Sequence, residues 1–216
     1  MPRTRVDWIE PRLLPSLIPY GTAVALARLR KHVATGCTRL LARWWGISLG
    51  PQSAFYGTPI FRRHPTAQVT IGESAIFRSA DWSNSVGINR RCFVSAGRDA
   101  RIQVGRHCGF SATVIAASTS ITIGDRVLCG ANCTIVDTDR HPLDPAARAQ
   151  GLPGEKAPIV IEDDVWLGMN VVVLKGCHIG QGTVIAANSV VTQSLPSGVI
   201  AGGMPARVLR EIERVN

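Results

Sequence analysis

Aliphatic positions recur every six residues through the second half of the chain. Ile161, Leu167, Val173, Ile179, Ile185 and Val191 are each six apart. Two residues before most of them stand Val165, Val171, Cys177, Thr183 and Ser189, which are short or small. Gly168 and Gly180 follow their aliphatic residues directly. The same register runs upstream through Ile71 and Phe77, Val104 and Phe110, and Ile123, Cys129 and Ile135. Between these blocks the phase slips by a residue or so, as at 116–123. Such a period matches neither a helix nor strict strand alternation. It predicts very short strands joined by tight turns, one aliphatic residue pointing inward per side. Three sides close one coil, so Asn170 and Asn188, 18 residues apart, should stack in a ladder. Glycine at a corner admits the positive φ that such turns need. Each coil buries its inward face only against its neighbours, so the stack needs capped ends.

The first 50 residues read differently. Leu13, Leu14, Leu17 and Ile18 form an apolar patch before Pro19. From Gly21 to Trp45, Val24, Leu26, Leu29, Val33, Leu40, Leu41 and Trp44 recur at roughly helical spacing with Arg and Lys between them. This predicts a basic amphipathic helix, broken near Gly36, that caps the stack or touches an anionic membrane. The division expected is a helical segment over 1–50, the coil stack over 51–204 and a short C-terminal helix over 205–216. The six-residue pattern is interrupted once, between about 137 and 158. That insert, opening Asp137-Thr-Asp-Arg-His141-Pro-Leu-Asp-Pro145, is the natural place for function on a rigid repeat scaffold.

Composition narrows the class. The chain has 216 residues, 45% of them hydrophobic and 18% charged, which suits one globular domain and excludes a disordered chain. Its net charge of +9 is uneven: +6 over residues 1–50, +5 over 51–106 and −2 over the rest. Nucleic acid, a membrane surface or an anionic substrate would each suit that charge. No nucleic-acid recognition motif accompanies it, so no nucleic-acid partner is expected. The uncharged stretch nearest the N-terminus, Leu13–Ala27, contains Pro15 and Pro19 and is too short to span a bilayer. No signal-peptide pattern precedes it. The six cysteines form no disulfide framework or zinc spacing and read as reduced, mostly buried thiols.

Taken with the motifs Ile161-Glu-Asp-Asp-Val-Trp166-Leu-Gly168 and Gly202-Gly-Met-Pro-Ala-Arg207 and the His141 segment, the chain resembles the hexapeptide-repeat acyltransferases over about residues 51–213. Phe55-Tyr-Gly-Thr-Pro-Ile-Phe61, Val86-Gly-Ile-Asn-Arg90 and Cys108-Gly-Phe-Ser-Ala112 narrow the resemblance toward colanic-acid and exopolysaccharide O-acetyltransferases. The resemblance implies an all-β fold, a left-handed parallel β-helix, usually assembled as a homotrimer. It also implies acetyl-CoA as co-substrate, no required metal, and transfer of acetyl to a sugar hydroxyl in surface-polysaccharide or glycolipid synthesis. A cytoplasmic protein is expected, with peripheral contact to the membrane's inner face through residues 9–45. A small non-sugar acceptor such as serine or an antibiotic, and a non-catalytic scaffold at the membrane, remain rivals.

The family's catalytic histidine maps to His141. Imidazole suits a general base, since its unperturbed pKa of about 6.5 lies near neutrality. Asp139 or Asp137 could orient it, as could a backbone carbonyl. The oxyanion donor maps to the Met169 amide, and Trp166 would wall the acyl channel. The family's acetyl-CoA contacts fall on Met169, Ala187, Thr192, Gln193, Arg207 and Arg210. Gln193 replaces the lysine common there. Where galactoside-type members place an Asn and an Asp before the histidine, this chain has Phe110 and Ser118, which argues against a simple galactoside acceptor. Asn84, Asn89, Arg90 and Ser111 are the alternative acceptor contacts. His32, His64, His107 and His178 read as exposed or packed side chains. No two histidines lie close together, as the zinc site of a γ-type carbonic anhydrase on this scaffold would need.

Overall fold

The computed structural model describes residues 14–213. The expectations for residues 1–13 and 214–216 lie outside the described residues. From Ser48 onward the backbone winds as a left-handed parallel β-helix with three flat walls. The first wall stacks the strands Ser48–Leu49, Gln68–Ile71, Arg101–Val104, Ser120–Ile123, Ile159–Ile161 and His178–Ile179. The second stacks Ala54–Tyr56, Ile76–Arg78, Gly109–Ser111, Leu128–Ala131, Trp166–Leu167, Val184–Ile185, Val199–Gly203 and Ala206–Glu211. The third runs from Ile60–Arg63 through Phe93–Ala96, Val114–Ala117 and Thr134–Val136 to Val172–Val173 and Val190–Val191.

The period-six residues occupy the interior. Ile161, Leu167, Val173, Ile179, Ile185 and Val191 are all fully buried, as are Val165, Val171 and Thr183. Each large aliphatic side chain so buried contributes about 1.5–3 kcal/mol of transfer free energy. Aromatic residues take the same inward place in the early coils, where Phe55, Phe77 and Phe110 stack with centroids 5.2 and 4.8 Å apart. The asparagine ladder forms at a corner: Asn170 Nδ2 donates to Asn188 Oδ1 at 2.9 Å, and both residues have φ of 59°. Asparagine tolerates this left-handed conformation better than most residues.

The cysteines are free and, apart from Cys37, buried. Burial pushes the Cys108 and Cys133 thiols up to about 11, which keeps them protonated and inert near neutrality.

Carboxylates bind successive coils at the corners. Asp125 accepts from the Arg106 backbone N–H at 2.7 Å and from its guanidinium at 2.8 Å, and Asp163 accepts from Asp125 N at 2.8 Å. The Arg106 guanidinium holds the Asp125 carboxyl below the usual carboxylate range. A depressed folded-state pKa gives stability that is present above the unfolded value of about 3.9 and is lost as pH falls through the folded value. Asp125→Asn is therefore expected to lower the melting temperature only slightly at pH 7, because the pair is exposed and screened by solvent. The gap between variant and parent should close in melts recorded on the acid side of that range.

Three expectations are corrected. The helix α1 (Leu14–Trp44) is not broken near Gly36 and also contains Pro19. The segment after Pro205 is not a helix: Ala206–Glu211 is a strand that pairs antiparallel with Val199–Gly203. Its helix-forming residues are overridden by the open sheet edge beside them. The coil pattern is also left twice, not once. Besides 137–158, residues 79–92 leave the walls between Ile76–Arg78 and Phe93–Ala96 and carry a short 3-10 turn at Asp81–Ser83.

Helix α1 lies across the first coil. Thr35 Oγ1 accepts from Phe55 N at 3.0 Å, and Thr38 and Ala42 are buried beneath it. Lys31 lies 5.6 Å from the centre of the Tyr56 ring and Arg30 5.7 Å from that of Trp82.

Candidate active site

The loop after Val136 is mounted rigidly on the coil stack. Asp137 is fully buried, and its carboxylate accepts from Ser118 N at 2.6 Å and Thr119 N at 2.7 Å. Ala157 N donates to Asp137 O at 3.0 Å and Asp139 N to Glu155 O at 2.9 Å, which closes the loop's two stems against each other. Thr138 and Lys156 form an antiparallel bridge between those bonds. Lys175, one coil on, reaches back to Asp139 at 2.8 Å and to Glu155 at 3.6 Å. These contacts raise the Lys175 pKa, chiefly through the Asp139 hydrogen bond. The loop's outer part holds a short helix α2 (Pro145–Ala149), capped by the Asp144 carboxylate on Ala146 N and Ala147 N.

His141 is exposed on this loop, and its backbone N–H donates to Asp139 O at 2.7 Å. Its imidazole makes no hydrogen bond among the described residues. Both carboxylates considered for orienting it are engaged elsewhere, Asp137 on amides and Asp139 on Lys175.

Gly154 packs directly on the His141 backbone. A Cβ there would come within 2.6 Å of His141 N and 2.7 Å of His141 O. Sequence reasoning missed this role, because the loop also holds Gly151 and several alanines, and nothing local marks Gly154 as the glycine that touches the His141 backbone. Beside it opens a hollow of about 320 Å³ lined by Ser118, Thr138, Arg140, Pro153, Gly154 and Lys156.

The second wall brings most of the other candidates together. Trp166 is 53% exposed, so most of its ring is free on the outer face. Register places Trp166 beside Val184, Val184 beside Ile200, and Ile200 beside Arg210. Partners in one row share a face, so an aromatic ring and a guanidinium bracket an apolar floor across three strand spacings of about 4.8 Å each. Arg207 lies on the same last strand, opposite Gly202. Met169 follows the Trp166 strand. Gly168 N donates to Ile185 O and Asn170 N to Ala131 O, while the Met169 amide between them makes no hydrogen bond among the described residues. Ala187 N lies where a Gly168 Cβ would meet it at 2.6 Å. Thr192 and Gln193 are exposed just after Val190–Val191.

The acceptor candidates separate. Ser111 joins Arg78, Ile76, Leu128 and Trp166 in a shallow groove of about 230 Å³ on the second wall. Phe110 is a core residue, and both it and the buried Ser111 line this groove. Arg90 is a clamp: its guanidinium donates to Ala112 O, Cys133 O and Thr134 Oγ1. Asn84 is engaged in its own turn, accepting from Val86 N at 2.9 Å. Asn89 uses its backbone N–H on Asn132 Oδ1, which leaves its side chain uncommitted.

Among the described residues no group of His, Cys, Asp and Glu could hold a metal ion.

Comparison with known proteins bears on this arrangement. Residues 158–193 match the model of the bacterial transferase hexapeptide, six repeats, and residues 120–136 match that of the hexapeptide repeat of succinyl-transferase. A galactoside O-acetyltransferase of Lactococcus lactis is 37% identical over 58% of this chain and 62% of its own length. A hexapeptide-repeat-containing acetyltransferase from Vibrio cholerae superimposes with a TM-score of 0.56 over 90% of both chains at 29% identity. Its structure complexed with acetyl coenzyme A matches with a TM-score of 0.50 at 41% identity, covering 57% of this chain and 66% of that one. The chain spans between 44% and 62% of the length of the first three curated relatives it matches.

Proposed function

We propose that the chain acts as a member of the hexapeptide-repeat acetyltransferases that it resembles, and that it transfers the acetyl group of acetyl-CoA to a saccharide hydroxyl. The observation that carries the reading is the row from Trp166 over Val184 and Ile200 to Arg210, with the unengaged Met169 amide at its aromatic end. An apolar floor suits the pantetheine arm. A guanidinium at its far end suits CoA phosphates, which it binds through paired N–H donors. Arg207, Thr192, Gln193 and the Ala187 backbone complete the cofactor side.

In the proposed reaction the imidazole of His141 takes the proton of the acceptor hydroxyl as its oxygen attacks the thioester carbonyl carbon. The carbonyl oxygen becomes an oxyanion and accepts a hydrogen bond from Met169 N–H. Collapse of the tetrahedral species breaks the C–S bond, and the departing CoA sulfur takes the proton from the imidazolium. No metal step is needed for this balance.

A homotrimer is part of the proposal. Ile76, Leu128 and Trp166 leave apolar surface exposed along the second wall, and such surface is usually covered by another subunit. The site would then lie between neighbours, with His141 of one chain facing the Trp166 wall of the next. Surface-polysaccharide or glycolipid synthesis is the proposed setting, in keeping with the resemblance to exopolysaccharide O-acetyltransferases, and Ser111 and Arg78 would offer polar contacts to a sugar at that interface.

The test is free-thiol release from acetyl-CoA by the purified full chain, offered sugars, lipid-linked sugars, serine and antibiotics in parallel. Saccharide-dependent release is the expected result. Release only with serine or an antibiotic would keep the transfer chemistry and overturn the acceptor. Failure of the folded protein to bind acetyl-CoA would overturn the enzyme reading altogether.

A further inference from the structure

Helix α1 has two opposed apolar faces, and the coil stack uses one of them. Thr35, Thr38 and Ala42 mark the packed face, as described above. On the opposite side Ile18, Leu26, Leu29, Val33, Leu40 and Trp44 are all exposed, from 46% for Leu26 to 87% for Trp44. Thr22 and Cys37 fill the remaining places in the row and are exposed too. The steps along this row are three and four residues, and the pattern repeats at eleven: Ile18, Leu29 and Leu40 form one series, Thr22, Val33 and Trp44 another. Eleven residues in three turns is about 3.67 per turn, close to the straight helix. The stripe therefore runs almost parallel to the helix axis. A left-handed helix pair would instead need a seven-residue repeat.

The charges around the stripe are all of one sign. Arg28, Arg30, Lys31, Arg39 and Arg43 lie within Leu14–Trp44, and the helix contains no Asp or Glu. Arg28 and Arg43 line one flank of the stripe, and among the described residues no carboxylate pairs with them. Arg39 turns to the coil stack, its guanidinium donating to Ser53 O at 3.3 Å, and Arg30 and Lys31 lie over Trp82 and Tyr56. Two copies of this helix packed face to face would bring like charges together with no acidic partner. An anionic lipid surface would meet the same residues with complementary charge, the apolar stripe entering the acyl boundary and the arginines staying at the headgroups. No helix among the described residues is long and apolar enough to cross a membrane.

We propose that the outward face of α1 is a docking surface for an anionic lipid bilayer, with the helix lying in the membrane plane and the β-helix held beneath it. The inference is independent of the acetyl-transfer reading, since it rests on residues 18–44 alone. It narrows the expectation of membrane contact through residues 9–45 to one helix face.

Flotation of the full chain with phosphatidylglycerol-containing vesicles and with pure phosphatidylcholine vesicles tests it. Binding is expected to the anionic vesicles, falling as salt rises. The Leu29→Glu/Val33→Glu double variant should lose at least about tenfold in partitioning, with its circular dichroism unchanged. Should that variant fail to fold, Leu40→Gln probes the same face with a milder change. Absence of binding to anionic vesicles, or binding undiminished in a folded variant, would overturn the proposal. So would a change in oligomeric mass of the double variant without vesicles, which would make the stripe a contact between copies.

Discussion

His141→Ala is expected to lower acetyl transfer by about 10²–10⁴-fold, the usual cost of removing a general base. The residue is exposed and its imidazole makes no hydrogen bond among the described residues, so the fold does not depend on that ring. The melting temperature and the affinity for acetyl-CoA should therefore stay at parental values. The loss should fall on kcat, because in the proposed reaction the imidazole acts on the acceptor proton in the transition state rather than holding the cofactor. Steady-state rates with saturating acetyl-CoA make the measurement. Retention of more than about a tenth of the activity would sink the assignment.

Gly154→Ala carries the second largest expected effect. The new methyl group would meet His141 N, C and O at 2.6, 2.8 and 2.7 Å, all of them backbone atoms. Backbone cannot swing aside as a flexible side chain can, so the loop must shift near the base. Displacing a catalytic group by about 1 Å can cost about 10²-fold, which sets the scale. The loop's anchors at Asp137 and Lys175 lie outside the clash and should hold. The variant should thus melt near the parent, bind acetyl-CoA as the parent does, and turn over about ten- to a hundredfold more slowly. Full activity would mean that residue 154 does not set the position of His141. A collapse in stability would mean that the clash spreads into the coils instead.

These two sites differ in how they could be found from sequence. His141 stands in a motif, and the loop around it declares itself by breaking a regular lattice. Gly154 acts through a contact across the loop, and no local pattern encodes which backbone it will touch. The interior was legible for the same reason as the loop: a coil needs one aliphatic residue per side, so burial is written into every sixth position. The Asn170–Asn188 ladder followed from coil length alone. The second excursion was not legible, because Ser79–Cys92 falls between two in-phase blocks and its Val86 and Ile88 read as one more slipped repeat, although Val86 is exposed. The last segment misled through local propensity. Ala206-Arg-Val-Leu-Arg-Glu211 suits a helix, but the free edge of Val199–Gly203 offered ladder hydrogen bonds that propensity does not weigh. Arg90 looked like an acceptor contact because a motif surrounds it. Its guanidinium is used on carbonyls at the coil corners, a commitment only three-dimensional proximity decides.

The reversal of the final strand bears on polymerisation. A stack of parallel coils has open ends, and each end could accept the first coil of another molecule and grow into a fibre. At one end of this chain α1 lies over the first coil. At the other, Ala206–Glu211 runs against the direction of every coil before it and lines the outermost edge of the second wall with Arg207, Arg210 and Glu211. An incoming parallel strand would find its partner pointing the wrong way and the edge charged. The residues proposed to hold CoA phosphates thus also stand where they would stop the molecule from adding another copy of itself end to end.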